Sequence, residues 1–164
     1  MSDADITLAT RIDDVSLLEV FYKAQKPVAA ESTIAMSIDN PECVFESDVE
    51  HGRSVLRAVV NVRFEIDENA GRPGPDPAIV FGTDLGVVAS VASMGEAVNP
   101  TESERGGRIA RSLRLEAIKA AHGFASAKLA ELSSISPAPK LLLPAIDADA
   151  LLADLERQQA ERRQ

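Results

Sequence analysis

A chain of 164 residues, 45% hydrophobic and 26% charged, is long enough for one domain with a packed core and too apolar to remain wholly unfolded. Its net charge of -9 repels phosphate backbones and anionic bilayers, which excludes nucleic acid as the main partner, and no apolar run approaches the roughly 18 residues of a membrane span. The single cysteine, Cys43, excludes an intrachain disulfide, and MSDADITLATRIDD has neither the basic nor the apolar region of a secretion signal, so a cytoplasmic protein without membrane insertion is expected.

The first half of the chain alternates. In DVSLLEVFY, Val15, Leu17, Glu19 and Phe21 fall on one side of an extended strand and Leu18, Val20 and Tyr22 on the other, both apolar enough to be covered. After Pro27, STIAMSID places Ile34, Met36 and Ile38 on one face, and Asn40-Pro41 stops the strand. The clearest alternation is SVLRAVVNVRFEID, with Leu56, Ala58, Val60, Val62, Phe64 and Ile66 on one face and Arg57, Asn61, Arg63 and Glu65 on the other. Asp67 to Pro77 is a Gly- and Pro-rich loop, and AIVFGTDLGVVASVA supplies a fourth strand, weakened or bulged at Gly82 and Gly86.

Thr101 followed by Glu104 forms a capping box that opens a helix. Ile109, Leu113, Ala117, Ala120, Ala121, Phe124, Ala125, Leu129 and Leu132 continue it at three- and four-residue spacing, with a bend expected at Gly123. The run stops at Ser133-Ser134-Ile135-Ser136-Pro137, and a last helix opens at Asp147 or Asp149 with Leu151, Leu152 and Leu155 as its apolar edge. Strands first and helices after predict one α+β domain: a four-stranded antiparallel sheet over residues 1–98, a long helix over 99–136, a crossover loop over 137–146, and a C-terminal helix and tail over 147–164.

Chemistry is sparse. His51 sits in a turn and His122 in the helical stripe, neither with partners at metal-ligand spacing, and Cys43 has no basic neighbour in sequence to activate it. The glycines form no phosphate cradle. No catalytic residue, metal or cofactor is therefore expected. Arg105, Arg108, Arg111 and Arg114 form a ridge that reads as a solvated face, or as a surface for an acidic partner or another subunit. Asp13, Asp14 and Glu19, with Asp67 and Glu68, form two acidic groups that serve solubility or dock a basic partner protein.

The stretch PKLLLPAIDADALLADLERQQ carries a resemblance. Its Pro139, Leu141, Leu143, Asp149, Ala150, Leu151, Gln158 and Gln159 follow a pattern of alternating Pro and Leu, then a short helix opening on Asp-Ala-Leu and closing on glutamines. With Asp14-Val15-Ser16 and the one-sided strand Ile34, Met36, Ile38 upstream, the order of elements resembles the SecB export chaperones and the SecB-like chaperones of mycobacterial toxin systems and phages. The resemblance implies a protomer that assembles into a homotetramer, a dimer of dimers, and holds unfolded client polypeptides in apolar grooves without ATP. The implied client-binding residues are Ile34, Met36, Ile38, Phe124, Leu129, Leu132, Leu141, Leu142 and Leu143. The family's acidic positions for docking a SecA-type motor fall on Asp14 and Glu68, and the remaining one on Leu18, with Glu19 beside it.

The leading reading is thus an ATP-independent holdase serving export or a dedicated client such as an antitoxin. The alternative is a non-catalytic adaptor or assembly protein that uses the same sheet for one folded partner. An enzyme built on His122 or His51 ranks third. In the strap, extended geometry turns Leu142 away from Leu141 and Leu143, and replacing all three with Ser is expected to spare folding.

Overall fold

The computed structural model describes residues 10–25, 28, 32–39, 41–48, 50–67, 77–92, 104–136 and 140–164. Along the chain these form β1 (Thr10–Ala24), β2 (Thr33–Ile38), β3 (Glu42–Asp48), β4 (Arg53–Asp67), β5 (Ile79–Ala92), α1 (Glu104–Ser134) and α2 (Ala148–Arg162). All the strand pairings are antiparallel, and α1 packs on one face of the sheet, giving the expected α+β arrangement with one long helix and a short C-terminal one.

β4 sets the register of the sheet. Its even-numbered side chains from Leu56 to Ile66 are buried while Arg57, Arg63 and Glu65 are exposed, as the sequence alternation predicts. β5 pairs along one edge of β4, from Arg53↔Ala92 to Ile66↔Ile79. The opposite edge is shared: β3 pairs with its first half and β2 with its second, down to Ile38↔Val62. Among the described residues the sheet is therefore four strands wide but contains five strands, because its far edge is two short strands placed end to end. Glu42–Asp48 carries little strand signal, since only Cys43 and Phe45 of that segment turn toward the core and charged residues hold both its ends.

β1 departs from the simple alternation. Its pairing with β5 shifts register between Ile12 and Asp14 and again between Leu17 and Glu19. Directly paired residues share a face, so Leu17 opposite Leu85 lies on the helix side, and so does Val20 opposite Thr83. Glu19 and Phe21, opposite Asp84 and Gly82, point away from the helix. The sequence reading placed Leu17 with Glu19 and Phe21, and the bulge at Leu18 reverses that grouping beyond it. Coverage of both faces fails too: Leu18 is 58% and Phe21 52% exposed at this sheet edge.

The core lies between α1 and the sheet. Ile109, Leu113, Ala117, Ile118, Ala121, Ala125 and Leu129 are buried against Val60, Val62, Phe64, Phe81 and Leu85. The alanines are small enough to let the helix axis approach the strands closely. α1 runs unbroken through Gly123. The Thr101 cap and all of the Asp67 to Pro77 loop except its two ends lie outside the described residues.

Candidate functional site

Beyond α1 the chain turns back along the helix that precedes it. The Leu141 amide donates to Ser133 Oγ at 2.8 Å, the Leu143 amide donates to Ser126 Oγ at 3.3 Å, and His122 Nε2 meets the Pro144 carbonyl at 2.8 Å. Ser133, Ser126 and His122 descend one side of α1 at seven- and four-residue steps, so the strap lies antiparallel to the helix and is held by its polar groups. This extended course gives the expected alternation: Leu143 is 6% exposed, Leu141 is partly buried, and Leu142 is 64% exposed. Asp147 then caps α2, its Oδ1 accepting from the Ala150 amide at 3.1 Å, which settles which of the two aspartates opens the helix. Arg111 of α1 reaches Asp149 at 3.4 Å and Glu156 at 3.6 Å, and Leu152 enters the core, so α2 is tied down at two levels.

The position of α2 leaves a groove beside the β2 edge of the sheet. It holds about 500 Å³ between Met36 and Ile38 of β2 and Ile146, Leu151 and Leu155 across from them. Ile34 continues the row on the same face of β2, opposite Ile66, and is 55% exposed. Among the described residues β2 has β4 on one side only, and no described strand pairs with its other edge along the groove.

The residues expected to contact a client are thus divided. Ile34, Met36 and Ile38 border the groove or extend its apolar row, although Ile38 is itself largely buried. Leu129 is fully buried under the helix and Leu143 nearly so, which makes both core side chains, and Phe124 and Leu132 pack partly against that core. Leu141, Leu142 and Leu143 do not line the groove; Ile146 and the Leu151–Leu155 edge of α2 do. That edge was visible as i, i+4 leucine spacing, but nothing in the sequence indicated that it faces β2.

The described histidines and the cysteine each have local partners. His51 lies in the turn after β3, with Nδ1 3.0 Å from Asp48. Hydrogen bonds from Arg53 and His51 hold the Asp48 carboxyl at about 2, well below its ordinary value. Cys43 Sγ donates to the Pro41 carbonyl at 3.1 Å, and burial pushes its thiol pKa up against the opposing influence of Arg114. Among the described residues no group of three or more His, Cys, Asp or Glu side chains is placed to hold a metal ion, and no helix is long and apolar enough to cross a membrane.

No family model and no curated protein matches the sequence. Among solved structures, the chain is similar to the Mycobacterium tuberculosis SecB-like chaperone Rv1957 in complex with a ChAD peptide from the Rv1956 HigA1 antitoxin. The two superpose with a TM-score of 0.57 at 15% identity, over 84% of this chain and 91% of that one. The fold is SecB-like.

Of the residues expected to dock a partner, Asp14 and Glu19 are exposed on the sheet face away from α1, opposite Val88 and Asp84. Glu68 lies outside the described residues. The same face of this SecB-like sheet exposes Leu18, Phe21, Val44 and Val59, which gives it an apolar as well as an acidic character.

Proposed function

We propose that this chain is an ATP-independent holdase chaperone that binds extended segments of unfolded client polypeptides. The observation that carries the reading is the groove between β2 and α2, apolar along Met36, Ile38, Ile146, Leu151 and Leu155 and bordered by the edge of β2 that no described strand pairs. An extended client satisfies both features at once: alternate side chains enter the apolar trough, while its backbone meets that edge of β2. At about 25 cal/mol per Å², roughly 300 Å² of apolar contact supplies about 7 kcal/mol before the costs of ordering the client. Within the apolar trough such binding depends on buried area and hardly on which apolar side chains supply it. The exposed Ile34 and Leu142 add apolar contact beyond the trough. The SecB-like fold supports this assignment, and a dedicated client such as an antitoxin is the form the similar mycobacterial protein favours. Assembly into a dimer of dimers, residence in the cytoplasm and docking of a SecA-type motor through Asp14 and Glu19 complete the proposal.

Light scattering of a chemically unfolded, aggregating client tests it. Suppression is expected at a stoichiometric amount of chaperone without nucleotide, and unchanged aggregation at that ratio rejects the assignment. The apolar outer face around Leu18 and Phe21 favours a second reading, an adaptor that binds one folded partner. Co-purification separates the two: many unfolded clients support the holdase, whereas one stoichiometric folded protein supports the adaptor.

A further inference from the structure

The groove beside β2 does not end at Leu155. Past Asp39, Leu155 and Gln158, which both spaces share, it opens into a basin of about 720 Å³ at the junction of β2 and β3. The basin is polar where the trough is apolar, and Arg114 from α1 and Arg162 from the last turn of α2 both line it.

Arg114 is an unusual lining residue. Its guanidinium carbon lies 5.6 Å from the centre of the Phe45 ring, which holds the group in place by a cation–π contact. Its Nε is cut off from solvent and has no hydrogen-bond acceptor among the described residues. A buried donor left without an acceptor is costly, and more so when it belongs to a charged group. The local candidates do not meet the need. Cys43 Sγ lies against the Arg114 guanidinium but offers it only a weak sulfur acceptor while donating to the Pro41 carbonyl, and it leaves Nε unpaired. Asp39 and Glu42 also face the basin, but both are exposed to water, and among the described residues neither forms an ion pair with Arg114 or Arg162. The unmet demand of the basin is therefore for an acceptor on the guanidinium, while its carboxylates are already solvated.

We infer that the basin seats a carboxylate side chain of the bound client on the Arg114 fork, with Arg162 at the rim, so that the groove prefers an apolar segment followed by an acidic residue. The inference rests on the client-binding reading given above. A carboxylate that reaches past the rim can accept from Nε–H and Nη–H together, which pairs the orphaned donor. An amide or an ammonium at the same place satisfies the guanidinium poorly or repels it.

Fluorescence anisotropy with labelled, C-terminally amidated peptides tests the idea, the amide ensuring that the chain end offers no carboxylate. Each peptide carries the same apolar segment, followed at successive positions by Glu or by Gln. At the best position the Glu peptide is expected to bind roughly tenfold tighter than its Gln twin, with the ratio shrinking as salt is added. Arg114→Met is expected to bring that ratio near one while leaving Gln-peptide affinity within about twofold. If Arg114→Met fails to fold, Arg114→Lys, which keeps the charge and loses the fork, is expected to reduce the ratio. Equal binding of Glu and Gln peptides at every position overturns the inference and leaves the groove as a client site. A preference that persists in the Arg114 variants overturns the assignment to this residue. Binding of neither peptide overturns both this inference and the holdase reading.

Discussion

His122 on α1 and Pro144 in the strap are joined by a 2.8 Å hydrogen bond from the imidazole Nε2 to the prolyl carbonyl. A carbonyl can only accept, so Nε2 must carry the proton. His122 thereby acts as a clasp, fixing the end of the strap just before Asp147 turns the chain into α2. His122→Ala is expected to cost about 1 kcal/mol of stability. Amide hydrogen exchange locates the effect: the Leu141 and Leu143 amides should exchange faster while the β4 and β5 amides change little.

The strap leucines differ in kind. Leu142→Ser is expected to change stability by less than about 0.5 kcal/mol, because the side chain stands in water. Leu143→Ala and Leu129→Ala each open space in the core and are expected to cost about 2 to 4 kcal/mol in urea denaturation. Replacement of Leu141, Leu142 and Leu143 together by Ser, expected from sequence to spare folding, therefore destabilises the protein, since Leu143 is core. Met36→Ser, at the groove, is expected to weaken suppression of client aggregation while leaving the fold intact.

Asp48 supplies a pH dependence. Its carboxyl is lowered in the folded state from the ordinary 3.8 to about 2, chiefly by the hydrogen bond from Arg53 at 2.9 Å and then by those from His51. A depressed folded pKa means that the stabilisation is fully present above the unfolded value and is lost as pH falls through the folded one. The stability difference between wild type and Asp48→Asn is therefore expected to be constant at neutral pH and to shrink as pH falls from about 4 toward about 2. Urea midpoints at a series of acid pH values measure it; a difference that does not narrow contradicts the role given to Asp48.

Gly86 is tightly opposed by β1. A Cβ added there would sit 2.8 Å from Ser16 Oγ, so the serine must move. Gly86→Ala is expected to destabilise by about 1 kcal/mol, and less in a Ser16→Ala background, where the obstructing hydroxyl is gone. A double-mutant cycle reads that coupling directly.

Legibility of the fold varied with how far each residue's neighbours lay along the chain. In β4 the alternation from Leu56 to Ile66 was legible because the strand is paired with β5 without interruption and one face is dry. The reversal in β1 was not, since a bulge at Leu18 within the apolar run Leu17-Leu18 leaves no mark in composition. At the groove, Met36 and Ile38 stood out as a one-sided strand, and Leu151 and Leu155 as a helix edge. Their meeting depends on a strap whose path is set by Ser126, Ser133 and His122, polar residues that looked unremarkable on a helix. Arg114 read as one member of a solvated ridge because helix periodicity carries no information about Phe45 on a distant strand.

The antiparallel ladder between β1 and β5 joins Thr10 to Val91. The β3–β4 hairpin closes through a short local turn, whereas β1 must wait for a partner that emerges far later during synthesis. Of the described strands, the first to be synthesised thus waits longest for its hydrogen-bonded partner. Until β5 follows it out, the nascent chain carries Leu17, Leu18, Val20 and Phe21 on an unpaired strand. A chain for which we propose a role in covering the apolar segments of others thus passes through a stage in which its own β1 needs the same protection.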